Sequence, residues 1–148
     1  MSALLLPAQI RQQKILVVDD NAASLYTTSR ILRSAGFEVI EADNGSKALA
    51  LAEEQISLLV LDINLPDIDG FEVCRQLRAS SRTALLPIVH LSATFVESTD
   101  VAQGLAAGAD SYLVHPVDPT VLIATVSALL FARQADIIKR RSDTRFRT

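Results

Sequence analysis

The 148-residue sequence has one cysteine, no tryptophan and few aromatic residues, which make up 5% of the chain. A single cysteine excludes an internal disulfide and makes a zinc site built from protein ligands alone implausible. Cys74 follows a helical spacing of apolar residues, so we expect a small buried side chain there. No apolar stretch approaches the ~20 residues that a membrane-spanning helix needs. The N-terminal segment MSALLLPAQ lacks the basic start of a signal peptide, which favours a cytoplasmic location.

The composition is that of one globular domain: 49% of the residues are apolar and 21% are charged. Charge is unevenly distributed along the chain. Residues 1–131 carry eight Lys and Arg against fifteen Asp and Glu, whereas residues 132–148 carry six against two. An acidic body does not suit nucleic-acid binding, because neutralising phosphates is its first requirement. The basic tail is more typical of a solvated helix face than of a nucleic-acid arm.

Short apolar runs alternate with amphipathic segments. The runs at 14–19, 37–41, 57–62, 86–92 and 111–114 predict strands, and the segments at 24–36, 46–55, 71–80 and 98–110 predict helices. A fifth helical pattern begins after the last strand and continues well beyond a normal closing helix. The central runs are apolar enough for strands buried on both faces. This alternation predicts a doubly wound α/β fold with a parallel sheet and right-handed crossovers.

Residues at the predicted helix ends support these boundaries. Asn21 and Asn44 precede helical patterns, where an N-cap side chain satisfies a free backbone N–H. Gly36 and Gly108 follow helical patterns, where a left-handed residue commonly ends the helix.

Polar side chains stand at the ends of four of the apolar runs. Asp19 and Asp20 end the first run, Asp62 the third, Ser92 the fourth and His115 follows the fifth. The carboxyl ends of parallel strands meet at one edge of a sheet, where ligands bind. Three carboxylates in one cleft repel each other unless a cation lies among them, and Mg²⁺ prefers such oxygen ligands. The sequence therefore predicts an acidic, cation-binding cleft at this edge.

The stretch DINLPDIDG around Asp62, the adjacent pair Asp19 and Asp20, the LSA at Ser92 and the proline after His115 together resemble the receiver domain of bacterial two-component signalling. The resemblance covers roughly residues 14–131. It implies a CheY-like, flavodoxin-like fold: a five-stranded parallel sheet in the order 2-1-3-4-5 with five helices, here with the last one extended.

The resemblance also implies roles for individual residues. Asp62 would accept a phosphoryl group from a histidine kinase or a phosphotransfer protein. Ser92 would bond the phosphoryl group, and Tyr112 would be the aromatic switch residue that rotates inward when that hydroxyl moves. The implied ligands of Mg²⁺ are Asp19, Asp20, Asp62 and the backbone carbonyl of Asn64.

His115 departs from the family pattern, which has a lysine before the proline. Histidine has a reference pKa near 6.5, so it lacks the permanent positive charge of lysine at neutral pH. Phosphorylation depends mainly on the aspartates and the metal, and we expect it to persist. The substitution puts in doubt the coupling of the phosphate to Ser92 and Tyr112. His90, inside the fourth strand, is expected to be a core or rim side chain rather than a ligand.

Two other functions fit parts of the pattern. One is a docking module that keeps the fold and signals without phosphorylation. The other is a phosphatase or phosphotransferase that works through an aspartyl phosphate, which is disfavoured because such enzymes use a DxD arrangement. As an isolated domain, the chain is not expected to be an enzyme beyond its own phosphotransfer.

The predicted organisation is an N-terminal extension at 1–13, a receiver domain at 14–131 and a helical linker at 132–148. The final RSDTRFRT resembles the lead-in to a PAS domain, so a PAS or other output domain is expected in a longer parent protein, which could be a hybrid histidine kinase.

The expected output of the domain is a changed partner contact. A homodimer could form through the last two helices and last strand, or through the extended last helix. No nucleic-acid or membrane contact is expected of this domain.

Overall fold

The structure is a computed structural model and describes residues 13–92 and 98–145. Within them lie five strands and five helices: β1 Lys14–Val18, α1 Ala22–Ser34, β2 Glu38–Ala42, α2 Gly45–Ala52, β3 Leu58–Leu61, α3 Gly70–Ala79, β4 Ile88–Ser92, α4 Ser98–Ala106, β5 Ser111–Val114 and α5 Pro119–Arg145. The strands are parallel in the order β2-β1-β3-β4-β5, which confirms the predicted doubly wound sheet. The predicted N-terminal extension and the end of the PAS-like segment lie outside the described residues, at 1–12 and 146–148.

Strand β1 shows how the sheet is buried on both faces. Its residues alternate between two apolar layers, because successive side chains of a strand point to opposite faces. Leu16 and Val18 pack with residues of α2 and α3, whereas Ile15 and Val17 pack with residues of α1 and α5. Cys74 of α3 is fully buried in the first layer, as expected of a small apolar side chain.

The predicted helix ends are confirmed. The side-chain oxygen of Asn21 accepts a hydrogen bond from the Ser24 N–H at 2.9 Å, and that of Asn44 accepts one from the Lys47 N–H at 2.9 Å. Gly36 and Gly108 have φ angles of 101° and 107°, in the left-handed region that favours glycine.

The amino-end edge of the sheet is organised around Arg78, near the end of α3. Its Nε donates to the Gly108 carbonyl at 2.9 Å, and its Nη1 donates to the Leu86 carbonyl at 2.6 Å. Its Nη2 lies 2.9 Å from Asp110 Oδ2, which also accepts from the Ile88 N–H at 2.8 Å. One guanidinium therefore joins the segments that lead into β4 and β5.

Helix α5 packs on the sheet through one side and continues for 27 residues. Leu122, Val126 and Leu130 are buried in the layer that it shares with α1. Arg133 Nη1 donates to the Ser57 carbonyl at 2.6 Å, so contact with the body extends beyond residue 131. The segment Pro119–Ile137 is by length and composition sufficient to cross a membrane, contrary to our expectation from the sequence. A helix packed on a soluble core passes the same test, so this is weak evidence for membrane insertion.

Candidate functional site

Two buried aspartates are placed at the carboxyl-end edge by the backbone hydrogen bonds of the sheet. The Asp19 N–H donates to the Ala42 carbonyl at the end of β2, at 3.1 Å. The Asp62 N–H donates to the Val18 carbonyl at the end of β1, at 2.9 Å. The parallel register of β1 and β3 therefore brings Asp19 and Asp62 to the same point above the sheet.

Asp19, Asp20 and Asp62 form the acidic cleft that the sequence predicts. Each offers a carboxylate oxygen, and these atoms all lie within 4.8 Å of one another. Asp19 and Asp62 are buried, whereas Asp20 is exposed. Burial, together with the negative charge of Asp19, raises the pKa of Asp62 to about 6. Burial likewise raises the pKa of Asp19 above its usual range, against the hydrogen bond from Asn21. The cleft thus holds negative charge that the protein only partly compensates.

The protein's own hydrogen bonds satisfy only part of this cluster. The Asn21 N–H donates to Asp19 Oδ1 at 2.9 Å, and the Asn64 N–H lies 3.4 Å from Asp62 Oδ1. A cleft of closely spaced carboxylate oxygens, partly buried and with raised pKa values, has the donor set that suits a hard divalent cation such as Mg²⁺. The residues present therefore fit the metal that the resemblance implies.

The loop after β3 is held against the end of that strand by a close approach of Gly70. A Cβ at this position would overlap the Asp62 carbonyl oxygen and lie 2.7 Å from Ile63 Cα. The Gly70 N–H donates to the Ile63 carbonyl at 2.8 Å. The next helix starts immediately, since Asp69 Oδ1 accepts from the Glu72 N–H at 2.9 Å as its N-cap. Glycine is thus required where α3 begins beside Asp62.

Asp67 fixes the same loop to α2, a contact that the sequence analysis did not find. Its Oδ1 accepts from the Gly45 N–H at 2.7 Å, and its Oδ2 accepts from the Ser46 N–H and hydroxyl at 2.9 and 2.8 Å. These donors hold the pKa of Asp67 well below its usual range. A negatively charged side chain at a helix N-terminus is favourable. The only signal in the sequence is an aspartate in the DINLPDIDG loop, which does not reveal its distant partner.

Comparison with known proteins identifies the family. A family model described as the response regulator receiver domain matches residues 15–127. The chain belongs to the response regulator receiver family. It is 42% identical to the DNA-binding dual master transcriptional regulator RpaA of Synechocystis sp. over 118 residues, which are 79% of this chain and 48% of that protein. It is 35% identical to Protein PilH of Pseudomonas aeruginosa, over 79% of this chain and 97% of that protein.

A solved structure shares the same architecture. The CheY-like response regulator receiver domain protein from Methanospirillum hungatei has a TM-score of 0.76 and 29% identity, covering 84% of this chain and 98% of that chain. The present chain spans about half the length of RpaA, so its similarity to RpaA concerns the receiver domain and not the rest of that protein.

In this receiver domain, Ser92 and His115 are neighbours at the carboxyl ends of β4 and β5. Ser92 is the last residue of β4, is 3% exposed, and its carbonyl accepts from the His115 N–H at 2.7 Å. His115 Nε2 lies 4.0 Å from Asp19 Oδ2, and has no hydrogen-bond partner within the described part of the chain. Burial lowers the pKa of His115, while the charge of Asp19 opposes that shift. The peptide bond between His115 and Pro116 is cis.

Tyr112 lies one strand away from Ser92, next to His90. Tyr112 and His90 are directly paired in the β4–β5 register, and their ring centroids are 5.9 Å apart. His90 is a fully buried core side chain, as expected, with Nδ1 3.2 Å from the Leu61 carbonyl oxygen. Its Nε2 has no partner among the residues that the structure describes, so the side chain is only half satisfied.

Proposed function

We propose that this receiver domain accepts a phosphoryl group onto Asp62 from the phosphohistidine of a histidine kinase or a phosphotransfer protein, in a Mg²⁺-dependent reaction. The observation that carries the proposal is the buried Asp62 carboxylate, which shares its cleft with Asp19 and Asp20 at the carboxyl ends of the strands. In the transfer, an Asp62 oxygen forms a bond to phosphorus as the phosphorus–nitrogen bond of the donor breaks. The electron pair of the broken bond stays on the donor imidazole, which takes a proton from solvent, and an acyl phosphate results on Asp62.

The surrounding residues fit a supporting role in this step. Asp62, with a pKa of about 6, is mostly ionised at pH 7.5 and is therefore available as a nucleophile. Asp19 and Asp20, with Asp62 and the backbone carbonyl of Asn64, would hold the Mg²⁺. When bound, the ion supplies positive charge that offsets the negative charge of the transferred group.

Ser92, His115 and Tyr112 are proposed to report the phosphate to the rest of the domain. The Ser92 hydroxyl donates a hydrogen bond to the phosphoryl oxygens, and Tyr112 responds by turning inward. The His115 ring is placed at the same edge, 4.0 Å from Asp19, and donates one hydrogen bond where a lysine would add a full charge. The chain therefore keeps the phosphoacceptor and has a weaker link from phosphate to switch.

The proposed output surface is formed by α4, β5 and α5. Large apolar side chains are exposed on all three elements: Leu105 is 48% exposed, Val114 41%, Val121 46% and Phe131 45%. Phosphorylation would shift the population of this surface between two states, and so change a partner or homodimer contact. We propose a cytoplasmic location and an output domain, such as a PAS domain, in a longer parent protein. Light scattering with and without beryllofluoride would test the homodimer.

Intact-mass measurement after incubation with acetyl phosphate and Mg²⁺ tests the phosphoacceptor. The wild type is expected to gain the mass of one phosphoryl group, and Asp62→Asn is expected to gain none. Asp69→Asn is a matched control, because asparagine retains the N-cap bond of α3 and leaves the acidic cleft intact. Modification of Asp62→Asn would disprove the assignment. An unmodified wild type would favour the docking module that signals without phosphorylation.

A further inference from the structure

His90 connects to the strand that carries the phosphoacceptor. Its Nδ1 lies 3.2 Å from the carbonyl oxygen of Leu61, the residue directly before Asp62. A carbonyl only accepts hydrogen bonds, so Nδ1 must carry the proton. In the neutral ring the other nitrogen, Nε2, is then a bare acceptor. The imidazole thus holds the backbone at Asp62 through one nitrogen and has an acceptor to spare on the other.

The spare acceptor belongs to a buried imidazole that contacts two aromatic rings. His90 is fully buried, and Nε2 has no hydrogen-bond partner within residues 13–92 and 98–145. The Phe71 ring meets the imidazole edge-on at a centroid distance of 5.4 Å, and Tyr112 meets it at 5.9 Å. Leaving a buried acceptor unpaired is unfavourable, so a conformation that supplies a donor gains stability.

Gly104 of α4 allows this close packing. A Cβ there would lie 2.9 Å from Tyr112 Cδ2 and 3.3 Å from His90 Cδ2, the carbon next to Nε2. The tyrosine ring and the Nε2 side of the imidazole therefore share one small space under α4. Of the two described aromatic residues whose rings contact His90, Phe71 has no donor, whereas Tyr112 has its hydroxyl.

We propose that His90 is a positioning residue that links the backbone at Asp62 to Tyr112. Its Nδ1–H holds the Leu61 carbonyl in both states, and its Nε2 accepts a hydrogen bond from the Tyr112 hydroxyl when Tyr112 turns inward. The inference rests on the proposed function, because the inward state is populated by phosphorylation of Asp62. It gives this chain a second route from acceptor to switch, beside the one through Ser92 and His115.

Nitrogen-15 NMR of the imidazole tests the link in the wild-type protein without any substitution. In the metal-free protein, His90 is expected to be the Nδ1–H tautomer with an unbonded Nε2. With Mg²⁺ and beryllofluoride, the Nε2 signal is expected to move to the position of a hydrogen-bonded acceptor. The same experiment on Tyr112→Phe, which lacks only the hydroxyl, is expected to show no such movement.

Substitutions at His90 then distinguish the roles of its two nitrogen atoms from the packing role of the ring. His90→Asn places an amide donor near the Nδ1 position but removes Nε2, and His90→Phe retains a ring without either nitrogen. Both are expected to lower the beryllofluoride-induced population of the inward state by about tenfold, with Mg²⁺ affinity within about twofold of wild type for His90→Asn. His90→Phe is expected to weaken Mg²⁺ binding as well, because it also releases the Leu61 carbonyl.

The outcomes separate this inference from the proposed function. If beryllofluoride perturbs Asp62 but leaves the Nε2 signal unchanged, the inference is overturned and the phosphoacceptor assignment stands. An Nε2–H tautomer in the metal-free protein would also overturn it. If beryllofluoride with Mg²⁺ does not bind at all, both proposals fail.

Discussion

The two edges of the sheet are built from the same strands and differ in how far their polar groups are satisfied. At the amino-end edge, Arg78 donates to four carbonyls and one carboxylate, and Arg133 binds the Ser57 carbonyl. At the carboxyl-end edge, three carboxylates crowd together, and the Nε2 atoms of His90 and His115 have no partner within the described residues.

The difference shows which edge of the sheet carries the interactions that lower the stability of the fold. Buried charges that face each other without a counter-ion disfavour folding, and so do buried polar atoms without partners. Both are concentrated near the edge where a phosphoryl group and a cation are proposed to bind, and these ligands would supply partners for the carboxylates and for His115. Among the described residues of the amino-end edge, Arg78 and Arg133 already have partners, and Arg78 fixes the segments that lead into β4 and β5. We therefore expect substitutions at the two edges to change stability in opposite directions.

The largest effect is expected from Arg78→Met at the amino-end edge. The substitution keeps an apolar stem but removes five hydrogen bonds, and it leaves several carbonyls without donors. Urea unfolding is expected to show a loss of about 3 kcal/mol. Arg75→Met, which breaks only a surface pair with Glu72, is the control and is expected to change stability by less than about 0.5 kcal/mol. A loss below about 1 kcal/mol for Arg78→Met would refute the contrast between the edges.

The opposite sign is expected for Asp62→Asn at the carboxyl-end edge. The substitution removes one buried charge from the acidic cluster, so the metal-free protein is expected to become more stable by about 1–2 kcal/mol. Mg²⁺ is expected to stabilise the wild type and not the variant, because binding only the folded state shifts the unfolding equilibrium. Urea unfolding in EDTA and in Mg²⁺ measures both effects. A variant less stable than wild type in EDTA would show that Asp62 is structurally favourable and not strained.

The stability difference between these two proteins is expected to depend on pH. Burial and the charge of Asp19 raise the folded-state pKa of Asp62 to about 6 from its ordinary value of 3.8. The folded state therefore favours protonated Asp62, and this contribution to stability is fully present below the unfolded-state pKa. It is lost as the pH rises through about 6. In EDTA, the advantage of Asp62→Asn is expected to be largest at pH 7.5 and to close as the pH falls towards 4. Histidine titration is common to both proteins and largely cancels in the difference. A pH-independent difference would mean that the pKa of Asp62 is not raised.

The sequence predicted the parts of the site that depend on strand ends. Asp19, Asp20 and Asp62 follow apolar runs, and a parallel sheet must bring the ends of such runs together. Asn21 and Gly36 likewise mark helix ends through local backbone chemistry. These inferences need only the position of a residue relative to its own strand or helix.

Contacts between distant segments were not predicted. Arg78 reaches Gly108 and Asp110, which lie 30 and 32 residues away, and the sequence has no periodicity that pairs them. Asp67 reaches Gly45 through a loop conformation that its neighbours do not encode locally. His90 is recognisable as a core position, but which of its nitrogens finds a partner depends on strand pairing and on Tyr112. Such contacts follow from tertiary structure and not from local patterns.

A smaller effect, confined to the carboxyl-end edge, is expected from His115→Lys. The lysine ammonium would place a permanent charge beside the phosphoryl oxygens, and charge-assisted hydrogen bonds are stronger than neutral ones. A gain of about 1 kcal/mol for the active state would shift the switch population about fivefold. The inward fraction of Tyr112 with beryllofluoride, followed by NMR, measures it. His115→Gln keeps a neutral donor and is expected to resemble wild type. Equal responses of all three proteins would mean that the phosphate signal bypasses this position.

The smallest effect is expected from removing the part of α5 that lies beyond the amino-end edge. Residues 134–148 carry few apolar side chains, and the bond from Arg133 to the Ser57 carbonyl ties the helix to the body just before them. Ile137 lines shallow clefts there but remains 39% exposed, so its burial contributes little. Truncation after Arg133 is expected to cost no more than about 1 kcal/mol of folding stability, because a helix that leaves the body gains little from tertiary packing.

Arg133→Met in the full chain is the comparison variant. It is expected to cost more stability than the truncation, because it leaves the Ser57 carbonyl without its donor. Thermal unfolding of the three proteins ranks them. A truncation that costs more than about 2 kcal/mol would show that the tail belongs to the folded domain, and that the amino-end edge extends further along α5 than the Arg133 contact indicates.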